Sequence, residues 1–492
     1  MEGVNSEIHK SLLPIGNKSI LSHIIDALPT DASIGLLLGH KSEQVTDYLK
    51  LLYPNRYFEK IYVDDWESEK AGTFRSIQCA EEFLTGPFWY FPCDGIFKRN
   101  LLDLKFNSDH FFVQKVDSIA QSNYTVFTTE NNQIKTIIPR GASDENGFVF
   151  TGIMYIEDST KFINDLRKKG VQDFAENISI DSNVFEIDDW IDLGNPDNYT
   201  KELNKNQKFD FSKSNEITYI HENTIIKWWS DSNTAKAKEG KPSKFPRLFP
   251  NNIKSASNFQ VYDKAKGESL YSCVNKSVFE EFLNRMKKEF WQNHNIDISN
   301  DVDEFYRNKT LTRYEKARNI LEITKINLNK VNGENVADMS MYLNSVDWEK
   351  LKLNFVCTPI HGDLQFDNVI YNDEKFTLID WRPTFGLQNV YGDVYYDFAK
   401  LLGGMKLNYL KIKNGEFNLR IERDQVFIHY PMVENYDELF EVFCNFLKVN
   451  EFDLDRVKGL VPIIYLNMAP LHSEPFASFL WALSLKEFAS LK

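Results

Sequence analysis

Ile360-His-Gly-Asp-Leu-Gln-Phe-Asp-Asn-Val-Ile-Tyr371, followed by Phe376-Thr-Leu-Ile-Asp-Trp381, is the stretch on which the fold of the second half of this 492-residue chain turns. Asp363 and Asn368 are five apart, and Asp380 follows Asn368 by twelve. Short apolar runs stand on either side of Asn372-Asp-Glu-Lys375. That pattern predicts a hairpin that leaves Asp380 at a strand end, within reach of a metal. Phosphoryl transfer from ATP needs this set of residue types. One carboxylate accepts the proton of an attacking hydroxyl, while an amide and a second carboxylate hold Mg²⁺ on the nucleotide phosphates. Taken singly, His-Gly-Asp is a turn and Asp380 a strand terminator. The full pattern, continued by Gly392-Asp-Val-Tyr-Tyr-Asp-Phe-Ala-Lys400, carries the inference.

The stretch resembles the aminoglycoside phosphotransferase and choline kinase superfamily of small-molecule kinases. Their brace is H-G/N-D-x-x-x-x-N, then I-D-W/F, then a helix opening Y-D-hydrophobic-A. The resemblance implies a protein-kinase-like, α+β, two-lobed domain that uses ATP. It implies Asp363 as catalytic base, Asn368 and Asp380 as Mg²⁺ ligands, and His361 as support for the loop.

The chain is long enough for two or three domains with large cores. With 38 Phe and 22 Tyr it reads as folded rather than disordered. A net charge of −14 and a pI near 5.3 argue against a nucleic-acid partner or an anionic membrane surface. Five scattered cysteines, none in a C-x-x-C, read as reduced thiols of a cytoplasmic protein. No signal peptide is expected at the start, and no apolar run reaches membrane-span length, so no membrane insertion is expected.

In the first two hundred residues, apolar runs alternate with helical patterns. Ile34–Leu38, Ile61–Val63 and Phe88–Phe91 read as strands, and Ser42–Leu52 and Ser76–Leu84 as helices. The alternation predicts a parallel sheet covered by helices, with ligands at the C-terminal strand ends. Asp94 falls at such an end, and Asp192 lies in Asp189-Trp-Ile-Asp-Leu-Gly-Asn-Pro-Asp-Asn-Tyr199. Two such acids could share one Mg²⁺, or each could simply cap a strand.

Lys10-Ser-Leu-Leu-Pro-Ile-Gly-Asn-Lys-Ser-Ile-Leu21 resembles the P-K-x-L-L-P-h-G-x-K-P-I-L segment of sugar-phosphate and phosphocholine nucleotidylyltransferases. Gly39-His-Lys41, Ala71-Gly-Thr73, Asp94, Phe150-Thr-Gly-Ile153 and Trp190–Tyr199 resemble later motifs of that family. The resemblance covers about residues 1–203. It implies a Rossmann-like nucleotidyltransferase domain, Lys10 as a catalytic phosphate contact, and Asp94 with Asp192 as Mg²⁺ ligands. Its nucleotide would be CTP or UTP. The family opens with a buried strand and a glycine-rich loop carrying an Arg. Here Asn5 stands for a glycine, Glu7 for the Arg, and the first strand is absent, so the domain reads as N-terminally truncated or degenerate. A Glu beside a triphosphate repels it.

Lys201–Ser214 is polar and rich in Asn and Lys, the expected boundary before a kinase domain over 204–492. Its N-lobe is expected at about 210–262 and its C-lobe at about 268–492. Glu216–Ile220 and Thr224–Trp228 read as a strand pair. Lys227 is the mate for ATP phosphates, or else an edge-strand lysine facing solvent. Glu239, with Glu222 as alternative, is the candidate to hold Lys227. Phe259–Leu270 resembles the family's hinge, which implies that the backbone around Val261 to Asp263 contacts adenine. From Ser277 the pattern is helical, including Tyr306–Leu328 and Val461–Phe488.

Trp381, Tyr391, Tyr395, Tyr396, His472 and Trp481 could line an acceptor pocket beside Asp363. Such a pocket would suit a quaternary ammonium if aromatic, or a sugar if polar. Arg382 could bind an anion or pair with Asp393. The whole reads as a kinase for a small alcohol or sugar coupled to nucleotidylyl transfer onto the new phosphate. The product would be an activated donor for surface polysaccharide or lipid decoration. The alternative is an active kinase with a non-catalytic first domain. Either is compatible with a homo-oligomer.

Overall fold

In a computed structural model of the chain, the residues described are 7–64, 66–68, 72–97, 101–169, 174–175, 178–204 and 215–491. The chain divides into two compact units, Met1–Asn206 and Gln207–Lys492. Residues 1–6, which include Asn5, as well as Ala71 and 205–214 of the boundary stretch, lie outside the described residues. Both units mix helix and strand.

The first unit carries strands β1 (Pro14–Ile15), β2 (Lys18–Ser19), β3 (Gly35–Leu38), β4 (Glu59–Tyr62), β5 (Phe88–Tyr90) and β6 (Gly95–Ile96). It continues with β7 (His110–Gln114), β8 (Val126–Glu130), β9 (Gln133–Ile138), β10 (Phe148–Ile156), β11 (Asn183–Ile187) and β12 (Ile191–Asp192). A six-stranded sheet runs β5-β10-β7-β11-β9-β8. Within it only β7 and β11 pair in parallel. The expected parallel sheet is therefore realised only in part. At the β8–β9 edge the reason is local: Asn131 and Asn132, at φ 52° and 60°, close a two-residue turn between Glu130 and Gln133. Such a turn joins antiparallel strands. Alternation along the strands feeds two apolar clusters. Phe111, Val113, Met154 and Ile156 go to one, and Phe112, Val149 and Ile153 to the other. β7 and β10 are thereby covered on both faces, while much of β9 is exposed.

β3 and β4 form a separate parallel pair. Among the described residues β3 pairs only with β4, and β5 only with β10. A cavity of about 670 Å³ is lined by Leu36 and Leu37 of β3, Trp89 and Tyr90 of β5, and Ile24 and Ile77 from helices. Among the described residues β3 and β5 thus each leave one edge unpaired, and residues of both line the one cavity.

The second unit opens with an antiparallel sheet of β13 (Glu216–Ile220), β14 (Thr224–Trp229), β15 (Lys254–Ala256) and β16 (Phe259–Asp263), in the order β13-β14-β16-β15. After β17 (Glu268–Ser269) come β18 (Lys330–Val331), β19 (Glu334–Asn335) and β20 (Cys357–Pro359). The hairpin β21 (Val369–Asn372) and β22 (Lys375–Leu378) follows, then β23 (Tyr391–Asp393), β24 (Asn418–Glu422) and β25 (Gln425–His429). The hairpin closes through Asp373 and Glu374, at φ 46° and 63°, the geometry of a tight type I′ turn. One contiguous apolar cluster runs from Leu248 to Phe488.

Two expected helices are broken. The 306–328 pattern is a π-turn, Glu304–Asn308, leading into the helix Lys309–Ile320 and a 3₁₀ turn, Glu322–Lys325. The 461–488 pattern is two helices, Leu454–Met468 and Phe476–Ala489. Pro470 and Pro475 lie in the connection, where a missing N–H and a fixed φ stop a helix. Among the described residues no helix is long and apolar enough to cross a membrane.

Candidate active sites

In the second unit β20 pairs with β23, which lays the His361–Asp363 loop against the helix Val394–Lys406. Asp397 on that helix receives the loop. Its carboxylate accepts the His361 N–H at 2.8 Å and the Gly362 N–H at 2.7 Å. Burial pushes the Asp397 acid up to about 6, against those amide bonds and the Trp291 indole N–H. Gly362 sits at φ +82°, and a Cβ there would meet Arg382 Cβ at 2.8 Å, so only glycine fits.

His361 is fully buried. Its Nδ1 accepts the Asp363 N–H at 3.2 Å, so Nε2 carries the proton and donates to Ile379 O at 2.8 Å. Burial holds the imidazole down to about 3, which keeps it neutral. His361 therefore supports the loop by bracing it to the residue before Asp380.

Asp363 Oδ1 pairs with Lys400 Nζ at 2.8 Å and accepts from Gln365 Nε2 at 3.2 Å. Asn368 donates its Nδ2–H to Asp363 O at 2.8 Å, which orients the amide and leaves Oδ1 for another partner. Ile379 N–H donates to Asn368 O at 2.9 Å, so Asn368 and Asp380 are neighbours across the hairpin. Asp380 has φ 56°, a strained region for a non-glycine residue and the kind of strain found at functional sites.

Asp380 Oδ1 forms an ion pair with Lys227 Nζ from β14. Burial opposes charge on Lys227, but Asp380 and Glu216 outweigh it and raise the ammonium well above its usual range. Burial would raise Asp380 too, but Lys227 and Lys238 hold it below the usual carboxylate range. The structure thus joins Lys227, Asn368, Asp380 and Asp363 in one centre.

Three expectations need correction. Lys227 is held by Glu216 at 2.9 Å, not by Glu239 or Glu222. Glu216 stands two residues from Thr218, the cross-strand partner of Lys227, so both side chains share one sheet face. Glu239 instead precedes the short helix Gly240–Lys244, and its carbonyl accepts from Ser243. The backbone N–H groups of Val261 to Asp263 are engaged and not open to adenine. Val261 is paired with both Ile226 and Lys254, and Asp263 N–H donates to Asn251 O at 3.0 Å. Arg382 does not pair with Asp393. Arg456 does, at 2.7 Å, while Arg382 Nε donates to Gly362 O at 3.1 Å.

The aromatic candidates each pack against another ring. Trp381 packs edge-on to Phe249, Tyr391 meets His294, Tyr395 meets Phe398, His472 meets Phe476, and Trp481 stacks on Tyr314. Tyr396 packs on Phe305, 4.8 Å between ring centres. Sequence reasoning gave no role to Lys400. The available signal was its i,i+3 spacing from Asp397 in an otherwise apolar helix turn.

In the first unit β6 pairs with β12, placing Asp192 opposite Gly95. A Cβ on Gly194 would lie 3.1 Å from Asp94 Oδ2 and 3.3 Å from Asp192 Oδ1. Both carboxylates thus converge on a cradle that a side chain would fill. Lys10 Nζ pairs with Asp94 Oδ2 at 2.8 Å, and Tyr124 OH donates to Asp192 Oδ2 at 2.6 Å. Burial works to lower Lys10, but Cys93, Asp94 and Asp192 together raise it. Glu7 holds the Gln44 side chain through its carbonyl at 3.0 Å, and its carboxylate lies near Lys41. Among the described residues no three His, Cys, Asp or Glu side chains gather as a metal centre in either unit. Each site offers a pair of oxygen ligands.

No family model matches the chain, and no curated protein matches it. Solved structures similar to part of it are nucleotidyltransferases. HddC from Yersinia pseudotuberculosis is 17% identical over 40% of this chain and 90% of that one, with a TM-score of 0.33. A UTP-bound UGPase from Acinetobacter baumannii is 12% identical over 41% of this chain and 86% of that one, also at 0.33. A nucleoside-diphosphate-sugar pyrophosphorylase from Vibrio cholerae RC9 is 11% identical over 40% and 92%, at 0.34.

Proposed function

We propose that the second unit is a small-molecule kinase that transfers the γ-phosphoryl group of ATP to an alcohol. The observation that supports it most is the Lys227–Asp380 ion pair. It joins a strand lysine to the acid after the hairpin, beside Asn368 and the Asp363 loop. Asp363 takes the proton of the attacking hydroxyl, and Lys400 and Gln365 fix the carboxylate's direction. Lys227 turns from Asp380 to the phosphates when nucleotide enters, and Glu216 keeps it in place. Asn368 Oδ1 and the Asp380 carboxylate are the ligands for Mg²⁺, which would neutralise charge on the phosphates. Two protein oxygens suit Mg²⁺, which keeps waters and phosphate oxygens as its other ligands. Adenine falls beyond Asp263, since the amides up to Lys264 are already bonded.

For the first unit the reading is nucleotidylyl transfer onto a phosphate monoester. Asp94 and Asp192 would hold Mg²⁺, and Lys10 would contact phosphate. A kinase makes such a monoester, so the units would act in sequence and yield an activated donor for polysaccharide or lipid decoration. The open edges of β3 and β5 favour a second reading, in which this unit as it stands binds without turning over.

The test is Mg²⁺-dependent ATP consumption against a panel of alcohols, with CTP and UTP added in parallel. Phosphorylation followed by pyrophosphate release supports both activities. Phosphorylation alone supports the second reading. An unchanged rate in Asp363→Asn sinks the kinase assignment.

A further inference from the structure

We propose that the alcohol phosphorylated by the second unit carries an anionic group, a carboxylate or a phosphate, held by Lys309, Arg313 and Arg382 beside Asp363. The proposal rests on the kinase reading and adds the substrate's charge class to it.

Lys309 Nζ lies 3.4 Å from the Phe305 ring centre and 5.7 Å from that of Tyr396. The Arg382 guanidinium lies 5.2 Å and 6.0 Å from the same two rings. Two cations therefore share one aromatic pair. Arg382 is tethered through Nε to Gly362 O, the residue before Asp363. Arg313 is one turn beyond Lys309 on the helix Lys309–Ile320, on the same side. Its guanidinium donates to Asn467 O.

Among the described residues none of these three cations forms an ion pair. The nearby carboxylate, Asp363, is already engaged by Lys400. Three cations gathered in one half-buried place, where Asp363 offsets only part of the repulsion on Lys309, are unexpected on a chain with net charge −14. Burial, then Arg382, Arg313 and Lys400, hold the Lys309 ammonium well below its usual range. That repulsion would be relieved by a bound anion, and guanidinium groups suit bidentate contact with carboxylate or phosphate.

The π-turn Glu304–Asn308 brings this about. The widened turn carries Phe305 toward Tyr396 and ends at Lys309. Such turns recur at functional sites. The same geometry argues against a quaternary ammonium. A choline-type cage needs open aromatic faces, and here Lys309 and Arg382 already stand over Phe305 and Tyr396.

The experiment compares glycerate, glycerol 3-phosphate, glycerol and choline as acceptors with Mg-ATP. The expected result is kcat/KM at least tenfold higher for one of the two anions than for glycerol or choline. The two anions separate carboxylate from phosphate recognition. Lys309→Met and Arg313→Gln should each raise the acceptor KM at least tenfold and leave the ATP KM within twofold, with Lys309→Arg restoring part of the loss. Preference for glycerol or choline overturns the proposal but leaves the kinase standing. So does a shift confined to the ATP KM.

If none of the four turns over, inorganic phosphate is titrated calorimetrically into the Mg-AMPPNP complex. Binding weakened tenfold by Lys309→Met supports the proposal, and equal or absent binding overturns it. Failure of the kinase reading is seen separately, as Mg-AMPPNP affinity that Asp380→Asn does not change.

Discussion

In the second unit the strand that carries Lys227 is paired on both sides, by β13 and β16, and its side chains from Ile226 to Trp229 are buried. Among the described residues of the first unit β3 and β5 each pair on one side only, and Leu36, Leu37, Trp89 and Tyr90 stay half-buried around a cavity. Both units nonetheless bring two metal-type ligands together, Asn368 with Asp380 and Asp94 with Asp192. Converging side chains therefore do not require a finished sheet. The first unit braces its two acids directly, through Lys10 and Tyr124, and the second unit also braces the loop and the lysine around its own. Asp397 fixes the loop, and Lys400 and Glu216 fix the groups that would react. Placement held to a fraction of an ångström is what separates catalysis from binding.

The largest effect expected from this difference is on activity. Asp363→Asn should lower alcohol phosphorylation by roughly 10²–10⁴-fold, the usual worth of a general base, with nucleotide affinity retained. Asp94→Asn should leave that rate unchanged and remove any pyrophosphate release. Coupled assays for ADP and pyrophosphate read the two units separately, and a shared loss would break the comparison.

The next is on stability. Arg456 and Asp393 form a buried pair, 5% and 0% exposed, and Asp393 also accepts from Tyr306 and the Val356 amide. Arg456→Met leaves a buried charge unpaired, which costs about 3–5 kcal/mol. Pulse proteolysis in urea should show the second unit unfolding earlier and the first unit unmoved.

The first unit can be moved in the other direction. Fusing a five-residue apolar segment ahead of residue 1, through a glycine linker, should fill the cavity and pair both open edges. A segment held at a hundredfold over its dissociation constant adds about 2.7 kcal/mol. That corresponds to a rise of about 5–10 °C for a unit of this size. An unmoved transition would mean the β3 and β5 edges are not a strand site.

The sequence made the local features legible. The β21–β22 hairpin, the β13–β14 pair and the strand setting of Lys227 follow from turn residues and alternation. What escaped it depends on register and on distant packing. Glu216 reaches Lys227 only because β13 and β14 pair with Thr218 opposite Lys227. Val261 lost its expected role because β16 is an inner strand, a fact of sheet order rather than composition. The parallel sheet is realised only in part because apolar alternation does not distinguish strand direction, which the Asn131–Asn132 turn sets only for β8 and β9. The cation cluster was invisible because the π-turn that assembles it leaves no pattern in a helical period.

The smallest expected effect is a pH dependence in which two buried groups nearly cancel. Asp397 is pushed up to about 6 from 3.8 by burial, so its contribution is fully present below 3.8 and lost as pH rises through 6. His361 is held down to about 3 from 6.5, so its contribution is present above 6.5 and lost as pH falls through 3. Between about pH 4 and 6 the folded state binds one proton more than the unfolded at Asp397 and one fewer at His361. The slopes oppose at about 1.4 kcal/mol per pH unit each, so these two groups together should contribute little net dependence there. Lys241, lowered by burial to about 7, is protonated in both states over this range and adds no slope. Asp397→Asn removes one arm. Urea titrations should show the stability of that variant, relative to the parent, rising by about 1.4 kcal/mol per pH unit from pH 4 to 6. A difference that stays flat would mean that Asp397 does not hold its proton in the folded state, and the anchor of the Asp363 loop would lose its physical basis.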